Sequence, residues 1–199
     1  MINIVVSRYR KDVSWTDRLN GINRIMIYEK EMPDAEYNIP VNKGNEASVY
    51  LKYIIDHYDN LTDFTFFTHD DEYAWHHTGS IVDKFDAAVS SKQLYYNIND
   101  KCILGSITEH YWYQDILEWY DTYIEKYIPR KSLPYEDWTV DYRGSAQFLV
   151  HRSLIRSLPR EFYEGLYNWI TTTHLGSNQS GRYLEWTWHI FWSIYPNQI

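Results

Sequence analysis

The segment His69-Asp70-Asp71-Glu72 contains the residues whose types most clearly suggest chemistry. It directly follows Asp63–Thr68 (DFTFFT), a run of β-forming residues that predicts a central strand. Three adjacent carboxylates repel one another, and a bound divalent cation would remove that repulsion. Carboxylate oxygens suit hard ions such as Mg²⁺ and Mn²⁺, and an ion held here could act as a Lewis acid on a diphosphate. A solvated acidic turn is the alternative interpretation.

A basic segment, Ser7-Arg8-Tyr9-Arg10-Lys11, follows a second predicted strand at Asn3–Ser7. A tyrosine ring can stack on a base, and arginine or lysine can bind phosphate. Ligands of open α/β sheets bind at the carboxyl ends of the strands, so we expect this segment to lie near the acidic one. An exposed basic loop is the simpler interpretation unless the two segments converge on one ligand.

The segment Asn42-Lys43-Gly44-Asn45-Glu46 leads into a predicted helix that ends near Tyr58. The free N–H groups at the start of a helix can bind an anion or a ribose hydroxyl, which makes Lys43 and Asn45 candidate nucleotide ligands. The GxxxxGK[ST] pattern of a phosphate-binding P-loop is absent from the sequence. A helix cap with no further function explains the segment equally well.

Two other sets of residues suggest catalysis or metal binding. Glu185 and His189 are four residues apart in a predicted terminal helix and could serve as a base and a metal ligand. An amphipathic helix with a satisfied histidine is the alternative. His69, Asp71 and His76 could form the metal site of a hydrolase, although the HExxH spacing is absent.

The elements that must position these residues alternate between strand and helix in the first half of the chain, which predicts an α/β fold with a mainly parallel central sheet. A loop is expected at His174–Arg182, before the terminal helix. The predicted strands are Asn3–Ser7, Ile22–Tyr28, Asp63–Thr68, Leu94–Ile98 and Ser145–Val150.

Composition narrows the class of protein. The chain has 199 residues, which is enough for one domain, and a net charge of −8, which argues against binding nucleic acid through the overall field. We expect no membrane span, because no apolar run approaches about 18 residues. The single Cys102 and the lack of a signal peptide predict a cytoplasmic protein. The 20 Tyr, 9 Trp and 7 Phe suit either a large core or a surface that binds sugars and bases.

Several segments together resemble the GT-A class of nucleotide-sugar glycosyltransferases. VVSRY, NKGNEA and HDDE occur in the order expected for that class. The chain is more closely similar to a small viral and fungal family of glycosyltransferase domains, which includes N-terminal domains of multidomain chlorella-virus glycosyltransferases. The segments GSAQF, PREFY and EWTWH carry this closer likeness, which covers essentially the whole chain.

The resemblance implies a single GT-A-like glycosyltransferase domain over residues 1–199, with a nucleotide- and metal-binding half at 1–100 and an acceptor-side half at 101–199. It implies a UDP-sugar donor of the glucose or rhamnose type, Mn²⁺ or Mg²⁺ as cofactor, and a glycan acceptor in viral capsid glycan synthesis, in the host cytoplasm. A glycan-binding module without catalysis is a second hypothesis, and the metal-dependent hydrolase is a third.

The resemblance also implies roles for residues. The metal ligands would be Asp70, Asp71, Glu72 and His189, with Asp70-x-Glu72 or His69-x-Asp71 as the working pair. The nucleotide ligands would be Ser7, Arg8, Tyr9, Lys43, Asn45 and Asp70. Glu185 would be the base of an inverting reaction, with Asp141 in reserve. The aromatic platform for the acceptor would be drawn from Trp75, Trp112, Trp138 and Trp186.

Overall fold

The computed structural model describes residues 1–101, 110–133 and 145–192. Within these residues the chain forms one five-stranded sheet with helices on both faces, so the predicted α/β class is confirmed. Asp141 and Trp138 lie outside the described residues. Among the helices that the structure describes, none is both long enough and apolar enough to cross a membrane.

The sheet is mixed and mainly parallel. Its strand order is β2-β1-β3-β5-β4. β1 is parallel to both of its neighbours, and β5 is antiparallel to both of its own, so four strands point one way and β5 points the other. All five predicted strands are present, with ends shifted by up to three residues. The strands are β1 (Ile2–Arg8), β2 (Arg24–Glu29), β3 (Phe64–His69), β4 (Tyr95–Asn97) and β5 (Phe148–His151).

Helices cover both faces of this sheet. Short 3₁₀ turns lie at Ser14–Arg18, Tyr58–Asn60 and Arg130–Ser132. The α-helices are α1 (Ala47–His57), α2 (Ile81–Ser91), α3 (Tyr113–Tyr123), α4 (Arg152–Ile155), α5 (Arg160–Thr172), α6 (Ser177–Glu185) and α7 (Trp188–Trp192).

The buried strands explain why the sheet holds two cores. Ile4, Val5 and Val6 of β1 are all 0% exposed. Val5 belongs to the core formed with α1 and α3–α7, whereas Ile4 and Val6 belong to the core formed with α2 and Trp15. A continuous apolar run is typical of a strand that is covered on both faces. The aromatic residues fill much of the first core, where the rings of Trp188 and Trp192 stack 5.4 Å apart.

The terminal helix differs from its prediction. The expected loop at His174–Arg182 is helical from Ser177 onward, and the chain then forms two helices rather than one. The break falls at Thr187, whose N–H donates to the Leu184 carbonyl at 2.9 Å and whose hydroxyl donates to the Tyr183 carbonyl at 2.8 Å. These bonds close a tight turn, so the prediction that Glu185 and His189 share one helix is wrong.

The sequence predicts capping boxes at Ser14-Trp15-Thr16-Asp17 and at Ser80 with Asp83, and a helix cap at Asn45. A short helix does start at Ser14, but two of the three predicted capping residues are wrong. Ser80 caps α2 as predicted, because its hydroxyl accepts the N–H of Val82 at 3.2 Å. Ser14 does not precede its short helix, which begins after Val13. Asn45 does not cap α1, since Glu46 occupies that position and Asn45 adopts a left-handed conformation with φ of 54°.

The chain order places a binding crevice between β1 and β3. From β1 the chain moves outward to β2 and then returns through α1 to β3 on the other side of β1. Such a reversal leaves an open crevice at the carboxyl ends of the two central strands. Ser7 near the end of β1 is directly paired with His69 at the end of β3. The basic and acidic segments of the sequence therefore meet at this point.

Candidate functional site

A cleft of about 430 Å³ opens at the carboxyl ends of β1 and β3. Its walls come from the segments that follow the first three strands, from the start of α1 and from the start of α6. The residues that line it are Ser7, Tyr9, Lys30, Asn42, Asn45, Glu46, His69, Asp70, Asp71, Ala74, Trp75, His76 and Ser177.

One wall of the cleft carries a set of groups that fits a divalent cation. His69, Asp70 and Asp71 each offer a ligand atom, and these atoms all lie within 4.8 Å of one another. Asp70 is held firmly, because its Oδ2 accepts the backbone N–H groups of Tyr9 at 2.6 Å and Lys11 at 3.3 Å. Asp71 forms an ion pair with the Lys11 ammonium. The predicted convergence of the two segments is confirmed by these contacts.

Two of the predicted metal ligands lie outside this set. The Glu72 carboxylate faces α2, where it accepts the Ser80 hydroxyl at 2.7 Å and pairs with Arg18 at 2.5 Å. The hydrogen bond from Arg18 lowers the pKa of Glu72. His189 is buried in α7 and is not part of the set either. The structure therefore brings together His69, Asp70 and Asp71 rather than Asp70 and Glu72.

The predicted nucleotide ligands divide in the same way. Ser7, Tyr9, Asn45 and Asp70 line the cleft, but Arg8 and Lys43 do not. The Arg8 guanidinium pairs with Glu29 at 2.7 Å, and the Lys43 ammonium donates to the carbonyl oxygen of Thr173. Both cations therefore already bind protein groups. Arg8 binds Glu29 at the end of β2, and Lys43 binds Thr173 just after α5.

Two histidines meet in the cleft. The Nε2 atoms of His69 and His76 lie 3.3 Å apart. Burial lowers the pKa of His69 to about 4 and that of His76 to about 3, so both rings are neutral at pH 7. The Gln147 amide lies 2.9 Å from His76 Nε2, and its Oε1 accepts the Thr68 hydroxyl at 2.7 Å. A neutral imidazole has one nitrogen lone pair, and that of His76 accepts the Gln147 N–H.

A cluster of partly buried charges lines another part of the cleft, and sequence reasoning missed its two members there, Lys30 and Glu46. The Lys30 ammonium donates to the Asn45 carbonyl oxygen at 2.5 Å. Burial lowers the pKa of Lys30 and raises the pKa of Glu46. Arg182 lies near Glu46 and pairs with Glu185 at 3.4 Å.

Residues 4–198 match the model of a family described as a protein of unknown function (DUF3431). The chain belongs to the DUF3431 family. Neither a curated protein nor a solved structure matches it. The match includes most of β1, all of β3 and every described residue that lines the cleft.

Glu185, the predicted base, does not itself line the cleft of this DUF3431 protein. Its side chain is 15% exposed, and burial together with the negative charge of Glu46 raises its pKa to about 7. A carboxyl group that titrates near neutrality is suited to proton transfer. Glu46 is the carboxylate of this pair that reaches the cleft wall.

The tryptophan candidates for an acceptor platform differ in exposure. Trp75 lines the cleft and is 59% exposed. Trp186 is only 3% exposed and its ring packs 6.1 Å from that of Trp112, so Trp186 offers no open face to a ligand. Tyr9, which is 46% exposed, is a second open aromatic ring at the cleft.

The edge rule that located the first two segments could also have found the missed residues. Lys30 directly follows β2, at the same carboxyl edge as Tyr9 and Asp70. Glu46 lies in the segment that had been singled out as a helix entry. Neither residue stood out, because a single lysine after a strand and a glutamate at the start of a helix are common.

Proposed function

We propose that the protein is a metal-dependent glycosyltransferase that transfers a hexose or deoxyhexose, of the glucose or rhamnose type, from a UDP-sugar to a glycan acceptor. The observation that carries this proposal is the convergence of the β1 end with the His69-Asp70-Asp71 set in one cleft, where the Tyr9 N–H donates to Asp70 at 2.6 Å. The volume of about 430 Å³ falls within the usual range of small-molecule sites.

The residues of the cleft divide the work of binding such a donor. His69, Asp70 and Asp71 would hold Mn²⁺ or Mg²⁺, and the ion, when bound, stabilises the negative charge of the departing diphosphate. The open ring of Tyr9 can stack on the uracil base. The Lys30 ammonium supplies positive charge in the lining of the cleft, and Asn45 offers polar groups for the ribose.

Proton transfer falls to the buried carboxylates. In an inverting reaction the acceptor oxygen bonds to the sugar C1, the bond from C1 to the diphosphate oxygen breaks, and the hydroxyl proton passes to a carboxylate. Glu46 is placed to receive it because it lines the cleft, and Glu185, as its neighbour in the charge cluster, is the second candidate. The raised pKa of each group makes it a stronger base near neutral pH than an exposed carboxylate.

The finer parts of the proposal are the GT-A fold and the role in viral glycan synthesis. A mixed α/β sheet with a cleft at the carboxyl ends of its central strands supports the first. The second rests on the similarity of VVSRY, GSAQF and EWTWH to a viral and fungal family. Capsid glycans are therefore the acceptors to assay first.

The test is calorimetric binding of UDP with and without Mn²⁺, using a pair of isosteric variants. Asp71→Asn should abolish Mn²⁺-dependent UDP binding. Glu72→Gln, which removes the adjacent charge that faces α2, should bind like the wild type. If Asp71→Asn binds UDP as tightly as the wild type, the ion does not bind at Asp71, and the proposal loses its basis. Hydrolysis of UDP-glucose and UDP-rhamnose would then identify the sugar.

A metal-dependent hydrolase is a second candidate, and the facing His69 and His76 nitrogens favour it. Imidazole pairs suit Zn²⁺, which can activate water for hydrolysis. This candidate predicts Zn²⁺-dependent cleavage of simple phosphoesters or esters without any effect of UDP. A glycan-binding module, the third hypothesis, predicts saccharide binding that needs neither UDP nor metal.

A further inference from the structure

The distance between two imidazoles bears on which ion the cleft accepts. Two nitrogens that bind one ion at about 2.1 Å, with an angle of about 90–109° between them, lie roughly 3.0–3.4 Å apart. The Nε2 atoms of His69 and His76 are 3.3 Å apart. The same distance also allows one N–H···N hydrogen bond, which an ion would replace. The rings are nearly perpendicular, at 81°, so the nitrogens face each other without stacking of the rings.

From this geometry we propose that His69 and His76 bind one metal ion jointly through their Nε2 atoms, that Asp71 turns towards the ion as an oxygen ligand once Lys11 releases it, and that the site selects first-row transition ions over Mg²⁺. The inference rests on the metal site of the proposed function and adds a ligand, His76, that lies outside the His69-Asp70-Asp71 set. It does not require the nucleotide.

The surroundings of His76 can accommodate an ion. The Gln147 amide now donates to His76 Nε2, a bond that must be released when the nitrogen binds a metal. If the Gln147 amide rotates by a half-turn, which exchanges its oxygen and its NH₂ group, Thr68 keeps its hydrogen bonds. The NH₂ group of the amide then donates to the Thr68 hydroxyl at 2.7 Å, and that hydroxyl donates to the His69 carbonyl oxygen at 2.9 Å. The amide oxygen then faces the ion.

The charges around the site also allow a cation. Asp71 is neutralised by the Lys11 ammonium, whose side chain is 54% exposed and can swing into solvent. Asp70 keeps one carboxylate oxygen free, since the backbone N–H groups of Tyr9 and Lys11 both bind Oδ2. The two carboxylates therefore balance the charge of a divalent ion that two neutral rings bind.

The donor set determines the selectivity. Mg²⁺ prefers near-ideal octahedral oxygen coordination and retains its waters. Imidazole nitrogen favours the later transition ions, whose affinities rise from Mn²⁺ towards Cu²⁺ and remain high for Zn²⁺. With two nitrogens and at least one carboxylate, we expect Zn²⁺ to bind at least about 100-fold more tightly than Mg²⁺, with Mn²⁺ between them.

The experiment uses the metal alone with the full chain. Calorimetry should give one Zn²⁺ per chain, and His76→Gln should weaken Zn²⁺ binding at least about tenfold. The control is His151→Asn, because His151 lies at the opposite end of the sheet, where it pairs with Phe64, and asparagine can still cap α4. Wild-type Zn²⁺ affinity in His76→Gln, or equal affinities for Zn²⁺ and Mg²⁺ in the wild type, would overturn the proposal.

A second measurement needs no variant, which matters because His76 is buried and its replacement could unfold the protein. X-ray absorption at the zinc edge of the wild-type complex counts imidazole ligands, and two are expected. One or none would refute the joint site even if UDP binds with Mn²⁺. If two imidazole ligands are found but the protein does not bind UDP, the joint metal site is supported and the transferase proposal is refuted.

Discussion

Replacing Glu185 by glutamine should remove a pH-dependent cost to folding. The Glu185 carboxyl is largely buried beside Glu46, and its pKa in the folded protein is about 7, against 4.5 for an ordinary glutamate. A raised pKa means that the unfolded chain releases the proton more readily than the folded chain. The folded protein is therefore penalised as pH rises from about 4.5 to 7, and the penalty stays constant above that range.

The magnitude follows from the shift. Each pKa unit corresponds to about 1.36 kcal/mol, so the full penalty is about 3 kcal/mol. At pH 5 only about 1 kcal/mol of it is present, and at pH 8.5 nearly all of it is. The side chain is 15% exposed, so screening by solvent reduces the penalty only slightly. Glutamine retains the shape without the charge and should be more stable than the wild type at pH 8.5 by about 2–3 kcal/mol.

Urea unfolding at pH 5 and pH 8.5 measures this difference. The stability gained by Glu185→Gln should grow by about 2 kcal/mol between the two pH values. Glu118→Gln is the matched control, because Glu118 is an exposed glutamate of α3, and its effect should change by less than about 0.5 kcal/mol. If Glu185→Gln shows the same pH dependence as the wild type, the carboxyl does not titrate near neutrality, and its role as a base loses its support.

Four further substitutions test the packing and the cleft. Gly44→Ala should cost about 2–4 kcal/mol in urea unfolding, because Gly44 has φ of 70° and an added Cβ would overlap the Ile170 side chain. Gly165→Ala in α5 meets nothing within 4 Å and should instead stabilise by about 0.5–1 kcal/mol, so equal effects of the two changes would contradict the contact. Phe148→Ala should cost about 3–5 kcal/mol, since Phe148 is 0% exposed, and a loss below about 1 kcal/mol would contradict its place in the core. Trp75→Phe should leave stability within about 0.5 kcal/mol but remove most of the fluorescence change on adding UDP with Mn²⁺, and an unchanged signal would place Trp75 away from the ligand.

The strands and the position of the cleft could be predicted from the sequence because the signals are local. The apolar runs at Asn3–Ser7 and Asp63–Thr68 are long enough to identify buried strands, and the carboxyl-edge rule then brings Tyr9 and Asp70 together. The rule depends only on the direction of the strands, which the alternation of strand and helix supplies.

The sequence left two alternatives open for the working pair, Asp70 with Glu72 or His69 with Asp71, because the choice depends on contacts between distant parts of the chain. Glu72 is removed from the set by Arg18 and by Ser80 at the start of α2. No local pattern distinguishes Glu72 from Asp71. The hydrolase hypothesis had grouped His76 with His69, but the contact between their rings depends on how the chain after β3 folds back.

The charge cluster depends on a close approach of α6 to the start of α1. A Cβ on Gly181 would lie 3.0 Å from the Gly44 carbonyl oxygen, so only glycine fits there without a shift of its neighbours. This approach brings Arg182 and Glu185 towards Glu46. The sequence around Gly181 is rich in Gly, Ser and Asn, which indicated a loop rather than a packed helix.

The described walls of the cleft come almost entirely from one stretch of the chain. Every described residue that lines it, except Ser177, precedes residue 77. The other later residues that the structure describes affect the cleft only from behind this lining, as Gln147 does through His76 and Arg182 through Glu46. Members of the family could therefore vary most in the later residues that are remote from these contacts, and an engineer could change those residues while the lining of the cleft stays as it is.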